Sequence, residues 1–404
     1  MTSPLQDLRV LDFTRVLAGP FCTQLLGDYG ADVIKIERPG AGDDTRKWGP
    51  PYLKDTHGSD TAESAYYLSA NRNKRSVALD LAQPEGQALA KRLMEKCDIV
   101  VENFKVGTLA KYGLSYDQVK KDFPGLIYCS ITGFGQTGPY AHRAGYDYLA
   151  QAMGGLMSIT GEPEGTPIKV GVGVCDIMAG MYAASAILAA LHRRSQTGKG
   201  EYIDIGLLDS QIGWLVYEGQ NYLCSRKVPQ RQGNAHPNIV PYQTFQAADG
   251  HLVLAVGNDR QFQKFCGFAG CPELATDPRF ATNPMRIANR EELTRRLGDI
   301  ILQKPVNYWT EALEKMGVPA GPVNNIREAF EDPQVRHRGM KIALPHVLRE
   351  APVDLIGNPV KLSEAPVSYR LAPPTLGQHT EEVLGELLGM AASEFVTLQK
   401  KGVL

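Results

Sequence analysis

The chain has 404 residues, of which 43% are hydrophobic and 22% are charged, and its formal net charge at pH 7 is −1. A chain of this length exceeds one ordinary hydrophobic core, so two domains are expected. The near-zero net charge excludes a broad basic face, so neither nucleic acid nor an anionic membrane surface is an expected partner.

The N-terminal residues and the cysteines indicate a compartment. The first residues lack the basic and apolar regions of a signal peptide, and no apolar run approaches the ~20 residues that a membrane-spanning helix needs. The seven cysteines form no CxxC pair, and Cys266 and Cys271 have no neighbouring histidine, so no metal site is predicted. We therefore expect a cytoplasmic protein with reduced thiols.

The first half of the chain alternates strand and helix patterns. Strands are predicted at residues 8–13, 32–37, 77–80, 98–101 and 126–131, with helices through Gln24 to about Tyr29 and from Pro84 to Lys96. A strand, a glycine turn, a helix and a strand within a few dozen residues form a βαβ unit, which predicts a parallel sheet. The turn after the first strand is not GxGxxG, so a dinucleotide dehydrogenase is disfavoured.

Basic side chains form three clusters beside the predicted strands. They are Arg38, then Arg72, Lys74 and Arg75, then Lys105 and Lys111. Open α/β sheets bind ligands outside the carboxyl ends of their strands, so these clusters predict a phosphorylated ligand. A solvated basic rim is the alternative for any single lysine.

The segment Val170–Leu191 is the most distinctive in the chain. It passes from an alternating Val/Gly run into a helix of Ala, Met, Ile and Leu. The helix is apolar or small almost all the way round, which predicts that it is buried and closely packed. Asp176 is the only acid between Glu164 and Glu201, and it stands where the extended segment passes into the helix.

Two interpretations of Asp176 are compatible with each other. As an N-cap, it accepts a hydrogen bond from the first-turn N–H groups. As a nucleophile, it is a carboxylate whose ionised form the helix N-terminus favours by roughly 0.3–1 kcal/mol. The flanking glycines leave room for a thioester to approach, and a carboxylate can accept an acyl group and pass it on.

The character of the sequence changes near Cys224. A polar connector leads to a hairpin predicted over 242–256 around Asp249-Gly250, and helical segments from Arg260 to Met316 complete a small α+β unit. The tail has a strand-like segment at 359–363 and a terminal helix from about Thr380.

Short motifs are spread over nearly the whole chain. They are Arg9-Val-Leu-Asp-Phe-Thr, Ala18-Gly-Pro, Gly30-Ala-Asp-Val-Ile-Lys-Ile-Glu-Arg-Pro, Asn73-Lys-Arg-Ser, Glu102-Asn-Phe, Gly145-Tyr-Asp, the Asp176 segment and Leu376-Gly-Gln-His-Thr. Their combination resembles the family III CoA-transferases, which include formyl-CoA, carnitine-CoA and succinyl-CoA–glutarate transferases.

The resemblance implies an α/β fold with two domains. A Rossmann-like parallel-sheet domain is built from both chain ends, residues 1–224 and 326–404, and a smaller α+β domain spans 225–325. The resemblance also implies an interlocked, ring-like homodimer in which each chain threads through its partner.

The resemblance assigns Asp176 as the catalytic nucleophile, with an acyl-CoA and a free carboxylic acid as substrates. Coenzyme A enters as part of the substrate, and no permanently bound cofactor or metal is implied. The positions that match CoA-contacting ones are Leu17, Ala18, Arg38, Asn71, Arg72, Asn73, Lys74, Asn103, Phe104, Lys105, Lys111, Ala144, Gly145, Tyr146 and Asp147. Arg and Lys suit the phosphates of CoA.

Three places depart from the formyl-CoA transferase pattern. Leu17 replaces a glutamine, Ala144 replaces a lysine, and residues 235–239 replace a glycine-rich loop. These changes, with the Gly19-Pro-Phe-Cys and Gly40–Arg46 runs, favour the succinyl-CoA–glutarate branch and C4–C6 dicarboxylates.

A dicarboxylate also needs a partner for its distal carboxylate. The candidates are Arg15, His236 and Arg143, in that order. Arg15 comes first because it lies in the loop expected to face the thioester.

Two alternatives stay open at this point. An α-methylacyl-CoA racemase shares the implied fold and aspartate, but racemases of that group have a histidine at the position of Tyr146. A tyrosine of pKa ~10 exchanges protons poorly near neutrality. A non-catalytic CoA-binding regulator is the other alternative.

Overall fold

The computed structural model describes residues 2–404. Its strands are β1 (Arg9–Asp12), β2 (Asp32–Glu37), β3 (Tyr52–Lys54), β4 (Asp60–Ser64), β5 (Lys74–Ala78), β6 (Ile99–Glu102), β7 (Ile127–Thr132), β8 (Glu201–Gly206), β9 (Tyr242–Gln246), β10 (His251–Ala255), β11 (Ala320–Pro322), β12 (Lys341–His346) and β13 (Arg349–Ile356).

The helices range from single turns to the long central helix α8. They are α1 (Ala18–Asp28), α2 (Ala65–Ser69), α3 (Pro84–Glu95), α4 (Thr108–Lys111), α5 (Tyr116–Val119), α6 (Asp147–Met153), α7 (Leu156–Ile159), α8 (Val174–Thr197), α9 (Leu207–Gly213), α10 (Val216–Ser225), α11 (Asp259–Phe268), α12 (Pro272–Thr276), α13 (Asn283–Ala288), α14 (Arg290–Ile301), α15 (Val306–Lys315), α16 (Ile326–Glu331), α17 (Pro333–His337), α18 (Thr380–Leu388) and α19 (Ala392–Lys400), with a short 3-10 helix at Asp44–Lys47.

The chain folds into two compact units. Of the described residues, the large unit contains 2–156, 169–224 and 333–404, and the small unit contains 157–168 and 225–332. The large unit therefore takes residues from both ends of the chain.

The large unit is built on a parallel six-stranded sheet in the order β5-β2-β1-β6-β7-β8, which confirms the predicted sheet. Val10, Ile34 and Val100 are fully buried, as expected for a parallel sheet covered on both faces. The chain starts in the middle at β1, runs outward to β5, and returns to β6. The strand order thus reverses between β1 and β6, where open α/β sheets form a ligand-binding crevice.

The C-terminal tail closes one face of this sheet. Val383, Leu384 and Val403 are fully buried in the same cluster as Leu11 of β1. The tail is also tied to β5, because the Ala78 N–H donates to Thr380 Oγ1 at 2.9 Å. The terminal helix begins at Thr380, as predicted.

Helices α1 and α8 pack unusually closely on the other face. A Cβ added to Gly180 would lie 2.6 Å from the carbonyl oxygen of Ala18, so only glycine allows this approach. The crossing holds the first turn of α8, which contains Asp176, beside the loop that ends at Ala18.

Helix α8 is only half covered. Ala179, Ala183 and Ile187 are buried, whereas Met181 and Leu188 are exposed. The prediction that this helix is buried all round is therefore wrong for the single chain, because nothing within residues 2–404 covers its second face.

Helix α8 also corrects the expectation about apolar length. It is long and apolar enough to cross a membrane by length and composition alone, with 24 residues and a mean hydropathy of 1.8 over its most apolar window. Half of that window is buried inside the protein, and core helices of soluble proteins pass the same test.

The small unit contains the predicted hairpin. Strands β9 and β10 are antiparallel, and the Ala247 N–H donates to the Gly250 carbonyl at 2.8 Å across the Asp249–Gly250 turn. Phe262 and Phe265 are fully buried in the core below the sheet. Alternating apolar residues around an Asp-Gly turn were a sufficient signal for this element.

Residues 157–168 join the small unit although they are distant from it in sequence. The Gly233 N–H donates to the Gly161 carbonyl at 3.0 Å, and the Arg231 guanidinium donates to the carbonyls of Glu162 and Gly165. No change of composition marks this segment, so the predicted boundary at 224 did not include it.

The strand-like segment at 359–363 is not a strand. Pro359 has no N–H, and the Val360 N–H donates to Asn358 Oδ1 rather than to a neighbouring strand. The extended structure of the tail lies earlier, where β12 and β13 form an antiparallel pair.

Candidate active site

A cavity of about 140 Å³ lies at the carboxyl ends of strands β1, β6, β7 and β8, on the side where the strand order reverses. It is lined by Arg15, Val16, Leu17, Ala18, Asp44, Asn103, Phe104, Lys105, Val106, Ile131, Thr132, Gly133, Ala141, Arg143, Ala144, Gly145, Tyr146, Asp176 and Leu207. This is the position at which open α/β sheets bind ligands.

Asp176 lies in the first turn of α8 and is 7% exposed. The residue before the helix is Gly173, so the interpretation of Asp176 as the N-cap is wrong. The cap is supplied from outside the helix, since Asp147 Oδ1 accepts a hydrogen bond from the Cys175 N–H at 2.8 Å. The Asp176 carboxylate is therefore left available for chemistry.

Asp147 and Gln151 of α6 hold the segment that leads into α8. Asp147 Oδ2 accepts a hydrogen bond from Gln151 Nε2 at 2.7 Å, and Gln151 Oε1 accepts one from the Val170 N–H at 2.9 Å. Gln151 is fully buried. One helix thus fixes both ends of the passage from Val170 to Cys175, and with it the position of Asp176.

Burial, and after it the negative charge of Asp147, raises the pKa of the Asp176 carboxyl from its ordinary 3.8 to about 7. The N-terminus of α8 acts in the opposite direction by only ~0.3–1 kcal/mol. The raised pKa corresponds to about 4 kcal/mol, so burial outweighs the helix end. Near neutral pH the carboxyl group is consequently divided between its protonated and ionised forms.

The structure brings together most of the predicted substrate-contacting residues. Those that line the cavity with Asp176 are Arg15, Leu17, Ala18, Asn103, Phe104, Lys105, Arg143, Ala144, Gly145 and Tyr146. They meet because the loops after neighbouring parallel strands leave the sheet at the same edge.

The predicted group from Asn71 to Lys74 requires a correction. All four side chains are buried, and none lines the cavity. Lys74 Nζ contacts Asp12 Oδ2 at 3.1 Å, the Arg72 guanidinium pairs with the Asp28 carboxylate, Asn73 Nδ2 donates to Asp28 Oδ1, and Asn71 Nδ2 donates to the Tyr67 carbonyl. The partners of these polar groups therefore lie inside the protein. The contacts with Asp12 and Asp28 join the segment that leads into β5 to β1 and α1.

Four other predicted residues lie outside the cavity wall. Arg38 and Lys111 are exposed, at the end of β2 and the end of α4. Asp147 contacts the backbone before Asp176 as described. His236 belongs to the small unit, where its ring packs against Tyr242 with centroids 5.2 Å apart. The contacts of Arg38, Lys111 and His236 with substrate stay predictions.

Three residues near the site were not singled out from the sequence. Asp44 begins the 3-10 helix and pairs with Arg15. Nothing in the sequence of its polar loop distinguishes it from the neighbouring acidic residue. Thr132 ends β7, and its buried Oγ1 has no hydrogen-bond partner within residues 2–404. Its position at the end of a predicted strand, just before Gly133, could have identified it from the sequence. Burial and the charge of Asp176 raise the pKa of Tyr66 to about 12, so this phenol stays protonated.

Comparison with known proteins gives matches over nearly the whole chain. The model of CoA-transferase family III matches residues 5–380. The succinate–glutarate CoA-transferase of Agrobacterium fabrum is 49% identical over 384 residues, which cover 95% of this chain and 96% of that protein. The succinyl-CoA:glutarate CoA-transferase of Mus musculus is 46% identical over 385 residues, which cover 95% of this chain and 86% of that protein.

A solved structure is similar over the whole fold. The crystal structure of a CAIB/BAIF family protein from Brucella suis has a TM-score of 0.85 and 47% sequence identity to this chain, covering 96% of this chain and 100% of that one.

Proposed function

Since the chain belongs to CoA-transferase family III and is an acyl-CoA:carboxylate CoA-transferase, we propose that it moves CoA from succinyl-CoA to a short dicarboxylic acid such as glutarate. The observation that carries the proposal is Asp176, a buried carboxylate with a pKa of about 7 in the cavity at the strand ends. Two relatives, named as succinate–glutarate CoA-transferases, suggest the pair of acids.

The proposed reaction begins on the ionised Asp176 carboxylate. One of its oxygens attacks the thioester carbonyl of succinyl-CoA, the C–S bond breaks, and a mixed anhydride and the CoA thiolate result. The thiolate then attacks the aspartyl carbonyl, which forms an aspartyl-CoA thioester and releases succinate.

The second half of the reaction runs through the same intermediates in reverse order. The acceptor carboxylate attacks the aspartyl thioester and releases the CoA thiolate, which leaves a second mixed anhydride. The thiolate attacks the acceptor's acyl carbon, which forms the new acyl-CoA and restores the Asp176 carboxylate. A partly desolvated carboxylate suits this role because it is a stronger nucleophile than a hydrated one.

The cavity wall supports a dicarboxylate. Leu17 and Phe104 offer apolar surface to the methylene groups, each worth roughly 0.8 kcal/mol when buried. The distal carboxylate needs a cation, because a desolvated charge without a partner is costly. Arg15 is our first candidate and Arg143 is the second; both line the cavity. Lys105 is exposed at its edge and suits a CoA phosphate.

The racemase alternative has less support. A racemase needs a second proton-transfer group opposite Asp176, and the described residues that line the cavity include Tyr146 but no histidine. We expect no exchange of the α-proton of a 2-methylacyl-CoA in deuterated buffer, measured by mass; ready deuterium incorporation would favour the racemase.

We also propose that the protein works as an interlocked homodimer in the cytoplasm. Helix α10 has no buried residue although it carries Val216, Tyr222 and Leu223, and one face of α8 is exposed and apolar. Exposed apolar residues clustered on a helix are typical of an interface. The seven cysteines are free, which suits a reducing compartment.

One assay tests the reaction. The enzyme is incubated with succinyl-CoA and glutarate, succinate, formate, oxalate or butyrate, and new thioesters are identified by mass. We expect the dicarboxylates of four and five carbons to be the best acceptors. Better transfer to oxalate or butyrate would contradict the proposed substrate class.

The nucleophile is tested in the same assay. Asp176→Ala should abolish transfer, because the acyl acceptor is lost. Asp60→Asn, on the exposed β3–β4 hairpin, is the control and should keep full activity. An Asp176→Ala enzyme that retains more than a few per cent of activity would exclude the covalent mechanism.

A further inference from the structure

Arg15 is held by its backbone at the mouth of the loop after β1. Its N–H donates to Asn103 Oδ1 at 3.0 Å, and its carbonyl accepts from Asn103 Nδ2 at 2.6 Å. Asn103 follows β6, so the two loops at the point of strand-order reversal are fastened to each other. The side chain of Arg15 makes neither bond and is free to change partners.

The next residue shows that this loop is held in an unfavourable conformation. Val16 has a φ of +71°, which is rare for a β-branched residue. Its N–H donates to Asp43 Oδ1 at 3.1 Å, and Asp43 is in turn fixed by a fully buried ion pair with Lys35 at 2.9 Å. Strain that several contacts maintain is characteristic of functional sites.

The Arg15 side chain is paired with another carboxylate at the cavity. Its Nη1 lies 2.9 Å from Asp44 Oδ2, and the two side chains are 49% and 51% exposed. Both residues line the cavity that contains Asp176. An ion pair this exposed is weak, because water screens it and the long Arg15 side chain must be held in one conformation.

We infer that Asp44 is an internal competitor for Arg15, so that the substrate's distal carboxylate must displace Asp44 from the guanidinium, and that this competition limits the preference for dicarboxylates. The inference rests on the proposed function and extends it to a residue that contacts no reacting atom. A carboxylate of the protein occupies the guanidinium when the site is empty. The distal carboxylate of a dicarboxylate takes the place of the Asp44 carboxylate on the Arg15 guanidinium. A monocarboxylate has no second carboxylate, so Arg15 stays paired with Asp44.

This exchange makes Asp44 a specificity-determining residue with a predictable direction. If Asp44 competes, its removal strengthens the enzyme's preference for dicarboxylates. If Asp44 instead orients Arg15 for the substrate, its removal weakens that preference. The two roles therefore give opposite signs.

The experiment compares glutarate with pentanoate, which has the same chain length and lacks the second carboxylate. The ratio of their kcat/KM values is measured at saturating succinyl-CoA for the wild type, Asp44→Asn, Arg15→Met and the double variant. We expect Asp44→Asn to raise the ratio by about two- to fivefold, which is the strength of an exposed ion pair. Arg15→Met should lower it at least about tenfold.

The double variant and a control complete the test. Asp44→Asn should have no effect on the ratio in the Arg15→Met background, because Asp44 acts only through Arg15. Asp60→Asn removes an equally exposed pair, with Lys54, and should leave the ratio unchanged. An unchanged or lowered ratio in Asp44→Asn, or an equal effect without Arg15, would overturn the inference.

Failure of the proposed function is distinguishable from failure of this inference. In the first case the wild-type enzyme forms no glutaryl-CoA from succinyl-CoA. In the second case it forms glutaryl-CoA, and the Asp44→Asn ratio does not rise.

Discussion

The Asp176 carboxyl group has a pKa of about 7 in the folded protein, against an ordinary value of 3.8. The folded state therefore binds this proton more tightly than the unfolded chain does, and ionisation lowers stability as the pH rises from about 4 to about 7. Above pH 7 this loss is complete and constant.

Asp176→Asn should consequently be more stable than the wild type at alkaline pH, although the proposed mechanism predicts that it is inactive. We expect its advantage in the free energy of unfolding to grow by about 2–3 kcal/mol between pH 5 and pH 8. Denaturant titrations at both pH values measure this difference. An advantage that does not change with pH would mean that burial of the charge is not its cause.

Asp147 affects the same carboxyl group through its charge as well as through its hydrogen bonds. Asp147→Asn keeps an oxygen for the Cys175 N–H but removes the charge that raises the pKa of Asp176. We expect the midpoint of the acid limb of kcat/KM to move to lower pH than in the wild type.

Gln151→Leu is the matched control for that variant. It removes the buried amide that contacts Asp147 and Val170, without removing a charge. It should lower the rate and leave the midpoint in place. Equal shifts in both variants would show that the effect is structural.

At the scale of residues, the structure places Asp176 in a cavity, whereas it buries the basic cluster of Arg72 and Lys74 away from that cavity. Asp176 is isolated among apolar residues, so its exceptional character is visible locally. The sequence around Arg72 and Lys74 contains no visible counter-ion, which is why it predicts that they bind a ligand. Their counter-ions, Asp28 and Asp12, lie more than 40 residues away in the chain. A count of local charge does not reveal a partner brought close only by folding.

At the scale of elements, the close crossing of α1 and α8 depends on Gly180. A methyl group there meets the Ala18 carbonyl at 2.6 Å, and backbone does not yield as a flexible side chain does. We expect Gly180→Ala to lower the free energy of unfolding by about 1–3 kcal/mol and to reduce activity, since the first turn of α8 moves. Thermal unfolding and the transfer assay measure both effects.

Gly385→Ala is the control, in the interior of α18 of the same unit. A Cβ at Gly385 has no atom within 4 Å, so it should stabilise the protein by about 0.5–1 kcal/mol through helix propensity. If both variants were neutral, the packing of α1 on α8 would not be limited by Gly180.

Secondary-structure elements were predictable where the local pattern of apolar residues matches the burial that each residue has in the folded chain. The Val- and Ile-rich strands and the Asp249–Gly250 hairpin meet this condition, because their partners are supplied by the sheet itself. Helix α8 does not meet this condition. Its apolar sequence predicts burial on all sides, but it does not indicate whether the same chain or another molecule covers each face.

At the scale of the whole molecule, the exposed apolar residues of α10 bear on assembly. We expect the wild type to have twice the chain mass in solution and Leu223→Asp to shift it toward the monomer, because a charge would be buried in the interface. Light scattering after size exclusion measures the mass.

Val347→Asp is the control, at an exposed apolar residue in the turn between β12 and β13. It should leave the mass unchanged. A monomeric wild type, or a Leu223→Asp variant that stays dimeric, would show that α10 is not part of an interface.

The cavity is lined by segments that begin where strands end, while the apolar clusters that stabilise the large unit lie within and behind the sheet. Some lining residues, such as Arg15 and Lys105, are exposed and lie outside these clusters, so they can change at little cost to the fold. A lineage of such enzymes can exchange one carboxylic acid for another through point changes in these loops, and the inherited scaffold tolerates the trial variants. Mutational libraries confined to Arg15, Leu17 and Lys105, which line the cavity, should accordingly yield many folded proteins, and we expect some of them to have altered acceptor choice.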